Sequence, residues 1–167
     1  MPTAKYGKAK NRRESGAFVP IPVSVIKHPN FCMLNGTALR LLINLCSQVR
    51  FKAKMGASNN GDLTAAMEIL KKSGWTSNDS INNALKELLH YGFIIKTRQG
   101  GRNLCSLYAI TWWAINECNG KLDVNPTSTP PGNWKEVKSK WVRPKRKSTS
   151  LHRSCSNVTP LFGVDTS

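Results

Sequence analysis

The most informative chemistry in the chain lies between residues 78 and 86, where Asn78, Ser80, Asn82, Asn83 and Lys86 follow one another at short intervals. Amides and a hydroxyl offer both a donor and an acceptor, and a carboxamide can meet adenine through two hydrogen bonds at once. A second group, Lys96, Arg98, Gln99 and Arg102, surrounds Gly100 and Gly101. Its charges suit phosphate, a contact that positions a partner without reading sequence. With Ser77, these residues are the candidate nucleic-acid contacts.

Nothing comparable points to catalysis. The chain holds only 9 carboxylates; the pairs Asp62/Glu68 and Asp79/Glu87 read as ordinary helical surface, and no serine stands in a recognisable motif with His and acid. The five cysteines, Cys32, Cys46, Cys105, Cys118 and Cys155, form no C-x-x-C pair and have no histidine at ligand spacing. Neither a disulfide framework nor a metal centre is expected, and no cofactor; Cys46 and Cys105 read as small buried hydrophobes. Gln99-Gly100-Gly101 is not a phosphate-cradling loop, because it lies between two strand-like runs rather than ahead of a helix.

The elements that must position these groups follow from apolar spacing. Ile81, Ala84, Leu85, Leu88 and Leu89 recur at three- and four-residue steps behind Thr76-Ser77-Asn78-Asp79, which predicts a helix over Ser77 to His90. Ahead of it Thr64 can cap a helix with Ala66, Ile69 and Leu70 inward, ended by Ser73-Gly74, with Trp75 plugging the corner. Downstream, Phe93 to Arg98 and Leu104 to Ile110 are strand-like, with glycines at the tip serving positive φ. Both alternating sets of the second strand are apolar, so its inward face stays open. Asp62-Leu63 is a candidate for a third short strand.

Upstream, the prolines in Phe18 to Val23 forbid a central strand and lead to a short helix around Ser24 to His28. Asn35-Gly36-Thr37 starts a longer helix with Leu39, Leu42, Ile43, Cys46 and Val49 as its buried stripe. Trp112 and Trp113 either close the core or stack on unpaired bases. The expected fold is α+β: a winged helix-turn-helix, three helices with a β-hairpin wing.

The run LTAAMEILKKSGWTSNDSINNALKELLHYGFIIKTRQGGRNLCSLYAITW resembles winged-helix proteins carried by bacterial phages and integrated mobile elements. The likeness spans roughly Phe18 to Trp113, and rests on GWTS before the second helix, GFI after it, and TRQGG followed by LYAITW. It implies binding to double-stranded DNA and a replication-associated or regulatory role, and explains neither tail.

Charge supports an anionic partner. The net charge is +16, far beyond what solubility asks of a domain this size. Residues 61–90 nonetheless carry three lysines against four carboxylates, so the positive field comes from their surroundings. That division is expected where base reading and phosphate neutralisation fall to different parts of a protein.

Residues 1–16 read as a basic arm, either lying in a DNA groove or simply solvated; 17–118 as the DNA-binding domain; 119–167 as a Pro/Ser/Thr-rich, disordered basic tail in which Trp134 and Trp141 dock weakly or meet a partner. Cations in Arg50 to Lys54 either complement a helix end or touch phosphate. No apolar run reaches the ~20 residues a membrane span needs, so a cytoplasmic, nucleoid-associated protein is expected. The reading is sequence-selective duplex binding as an accessory replication or regulatory protein of a phage or mobile element. The alternatives are a transcriptional regulator and a protein-docking adaptor in a replication complex, and no strong dimer element marks the oligomeric state.

Overall fold

The computed structural model describes residues 16–52 and 56–144 of the chain. The basic arm and the run Lys145 to Lys147 lie outside them. Five helices stand among the described residues: α1 (Val23–Ile26), α2 (Pro29–Cys32), α3 (Gly36–Ser47), α4 (Met67–Lys71) and α5 (Asn78–His90). Strands β1 (Phe51–Lys52) and β2 (Gly56–Ala57) make a small antiparallel ladder, while β3 (Leu63–Thr64), β4 (Ile94–Arg98) and β5 (Leu107–Ile110) form an antiparallel sheet in the order β3-β5-β4. The chain is thus a mixed α+β domain.

Both long helices begin on side chains suited to it. Asn35 accepts from the Ala38 amide at 2.8 Å and Ser77 from the Ser80 amide at 3.4 Å, each satisfying one of the donors a helix start leaves unpaired. They pack against each other through Ala38, Leu41, Leu42, Leu45 and Cys46 of α3 and Ile81, Ala84, Leu85 and Leu88 of α5, all buried. The stripe on α3 is rotated from the expected one: Ile43 is 45% exposed and Leu41 and Leu45 point inward instead. The polar positions Thr37, Arg40, Asn44 and Ser47, at three- and four-residue spacing, occupy the side opposite the observed stripe and mark the rotation. Burial pushes the Cys46 thiol up to about 12, because the thiolate has no water there. Cys105 is exposed, contrary to expectation.

Other departures have local causes. No helix starts at Thr64: its amide and carbonyl are held by the Gln48 side chain at 2.9 Å each, and the segment pairs with β5. The helix begins at Met67, too short to bury more than Leu70, and Ile69 is 47% exposed. Trp75 does plug the corner behind it, with the Arg40 guanidinium 4.9 Å from its ring centroid. β5 is the central strand, with Leu107, Tyr108, Ala109 and Ile110 all buried, which is why neither alternating set could be preferred. Trp112 and Tyr108 join the main core; Trp113 is half-buried, 5.2 Å from Phe51.

The largest difference concerns the stretch expected to be a disordered tail from residue 119. Residues 132–143 form a strap, bound to the domain along 132–141. Trp134 is buried in the main core, edge-on to His28 at 5.2 Å. The fully buried Asn30 donates to the carbonyls of Trp134 (3.0 Å) and Glu136 (2.8 Å) and accepts from the Lys138 amide (3.0 Å). Gly92, at φ +73°, is a glycine because a Cβ there would stand 2.7 Å from the Asn133 carbonyl. The Pro- and Thr-rich run at residues 126–131 hid the segment behind it, which holds neither residue and is marked in the sequence only by Trp134 and Trp141; its backbone contacts leave little trace in residue type.

Candidate nucleic-acid interface

With one side of α5 committed to the core, its other side is defined by position. Asn82 and Lys86, four residues apart, are exposed one above the other, and Asn78 completes the line at the helix start. None of the three side chains makes a hydrogen bond to another described residue. The side-chain amides of Asn30 and Asn60, by contrast, are engaged inside the protein, and that of Asn35 caps α3 and meets Glu87. Unengaged carboxamides on a rigid helix are free to donate and accept toward a partner at low ordering cost.

Ser80 and Asn83 sit differently. They are half-buried and line a cleft of about 340 Å³ between α5, the start of α3 and the strap, together with Asn35, Thr37, Trp141 and Arg143. Asn83 donates to the Asp79 carbonyl at 2.8 Å. Of the adjacent carboxamides Asn82 and Asn83, Asn82 is the one whose side chain makes no bond within the described residues. Ser77 spends its oxygen on the helix cap.

Glu87, expected on the surface, is buried. It accepts from the Asn35 amide at 2.8 Å and from the Asn35 side chain, so that a carboxylate on α5 meets the N-terminal end of α3. Negative charge is favoured at that end of a helix. This fixes how α5 is presented, and a helical wheel that reads Glu87 as polar gives no sign of it.

The β4–β5 hairpin carries the second group. Its tip is Gly101-Arg102-Asn103-Leu104, closed by a pair of backbone hydrogen bonds between Gly101 and Leu104. The positive φ falls on Asn103, at +59°, not on a glycine. Asparagine tolerates that region because its short polar side chain bonds locally. Gly100 serves close approach instead: a Cβ there would meet the Ser106 amide at 2.7 Å.

Arg102 is exposed at the tip, and Lys96 is exposed with Nζ 2.9 Å from the Gln99 side-chain oxygen. Arg98 folds back and donates to the Cys105 carbonyl at 3.1 Å, so it braces the hairpin rather than flanking its tip as expected. Asp123, from beyond β5, accepts from the Gln99 amide at 2.8 Å.

No protein-family model, curated protein or solved structure matches the chain. What its site can do rests on the geometry of its own residues. Tyr108 and Trp112 are buried and offer no face for base stacking, while Trp113 keeps part of its surface. Among the described residues no helix is long and apolar enough to cross a membrane.

Proposed function

We propose that this domain binds double-stranded DNA as a winged helix, with α4 and α5 as the helix pair, α5 in the major groove and the β4–β5 hairpin as the wing. The observation that carries it is the exposed line Asn78, Asn82 and Lys86 on a helix whose opposite side is locked into the core. A protein-docking face would be apolar at its centre, and this one is made of amides and a lysine. The net charge of +16 supports an anionic partner, and the resemblance to phage and mobile-element proteins favours an accessory replication or regulatory role over general transcription control.

The wing supplies phosphate contacts through Lys96 and Arg102. Fluorescence anisotropy of the full chain on a labelled duplex should show tighter binding than on a single strand of equal length. The double substitution Lys96→Ala, Arg102→Ala should flatten the dependence of log K on log salt by about one unit for each phosphate no longer neutralised. Arg98→Ala should change the slope less, since its guanidinium is turned back onto the hairpin, where it donates to the Cys105 carbonyl. A preference for the single strand would reject duplex reading and direct attention to Trp113 and Phe51.

A further inference from the structure

The strap does more than close the core, because its path is set against α5. His90 Nε2, at the last turn of α5, lies 2.8 Å from the Ser139 carbonyl. The Trp141 amide donates to the Tyr91 hydroxyl at 2.9 Å. Trp141 and Arg143 then line the same cleft as Ser80 and Asn83, in the first two turns of the helix. The strap therefore runs antiparallel to α5, from its C-terminal end back toward its start, along the side that carries Ser80, Asn83 and Ala84.

Its side chains are divided by this path. Lys138 pairs with Glu136 at 2.6 Å. Lys140 and Arg143 are exposed and form no ion pair among the described residues. The backbone that carries them is held at Lys138, Ser139 and Trp141 by Asn30, His90 and Tyr91. A cation on a loose tail must lose chain entropy when it meets phosphate, whereas most of that ordering has already taken place here.

We propose that Lys140 and Arg143 belong to the interface with duplex DNA and contact the phosphate backbone along one edge of the groove that α5 enters. The interface is then three-part, with α5 between the wing and the strap. This rests on the duplex-binding reading and extends it to residues that no helix-turn-helix pattern would mark. The two cations at the end of the strap nearest the start of α5, Lys140 and Arg143, suit a strand backbone, whose phosphates recur along the groove edge, and carry no base preference of their own.

The test is a salt titration of duplex binding by the full chain, comparing Lys140→Ala and Arg143→Ala with Lys86→Ala and with Arg50→Ala, the last placed past the opposite end of α3. Lys140→Ala and Arg143→Ala should each reduce the slope of log K against log salt by about one unit, and weaken binding severalfold near physiological salt. Arg50→Ala should change it less. Equal, small effects of Lys140→Ala, Arg143→Ala and Arg50→Ala, with Lys86→Ala still weakening binding, would overturn the strap's role and leave the reading of α5 standing. No duplex binding by the parent chain would remove both. Photo-crosslinking from position 142, where Val142 is 80% exposed, gives an independent readout: a crosslink to DNA supports the contact and its absence opposes it.

Discussion

Asn60→Ala is expected to lower the stability of the domain by about 3 kcal/mol, on the order of a 10 °C fall in melting temperature. Asn60 is fully buried, and its side chain makes four backbone contacts: Nδ2 donates to the carbonyls of Ile110 (2.9 Å), Trp113 (3.1 Å) and Ala114 (3.0 Å), and Oδ1 accepts from the Ile110 amide (2.8 Å). Alanine would leave these groups without partners in a dry site, where each costs more than the net gain of an ordinary hydrogen bond. Asn60→Asp is expected to be at least as damaging, because it replaces the donor with an acceptor facing three carbonyls. Denaturant unfolding followed by circular dichroism measures both. A loss below about 1 kcal/mol for Asn60→Ala would mean that water readily takes the vacated positions.

Asn30→Ala should cost about 2 kcal/mol, with a different signature. Its side chain joins α2 to the strap through Trp134, Glu136 and Lys138. Losing it should release the strap before the rest of the domain opens. Trypsin cleavage after Lys135, Lys138 and Lys140 should accelerate roughly thirtyfold where opening governs the rate, since about 1.4 kcal/mol is a factor of ten. Cleavage after Lys86, in the middle of α5, should change much less. Equal acceleration at all four lysines would show that the strap and the helices open as one unit.

How far the fold can be read from the chain alone depends on where its information lies. The boundaries of α5, its cap at Ser77 and its buried side are legible because four core positions repeat with helical spacing next to polar ones. The hairpin is legible from two β-rich runs around glycines, though Asn103 rather than glycine takes the positive φ. The rotation of α3 is written in its polar positions, Thr37, Arg40, Asn44 and Ser47, rather than in its apolar ones, which extend to either side of the buried stripe. The strap is hidden for another reason: Asn30 and Gly92 recognise backbone, and the proline-rich run that leads into their partner, residues 126–131, resembles a linker. Glu87 is misread because a charged residue is almost never fully buried unless paired, and its partner, the Asn35 end of α3, is 52 positions away.

The same distinction applies to the site. Asn78, Asn82 and Lys86 are legible as one polar face, while the structure separates Asn83 and Ser80 into the cleft and turns Arg98 onto the hairpin's own backbone. These last three are contact candidates by residue type that the fold has given other neighbours. Lys140 and Arg143 cannot be placed beside α5 without knowing that the strap doubles back along it.

In the proposed mode of binding, α5 reads base edges through Asn82. Selection of bound duplexes from a random-sequence pool, carried out with the full chain and with Asn82→Ala in parallel, tests it most directly. The parent chain should enrich a defined motif. Asn82→Ala should lose the preference for adenine at one position of that motif, a discrimination of about 1 to 3 kcal/mol, while keeping the others and its salt dependence. An unchanged motif with Asn82→Ala would contradict the claim.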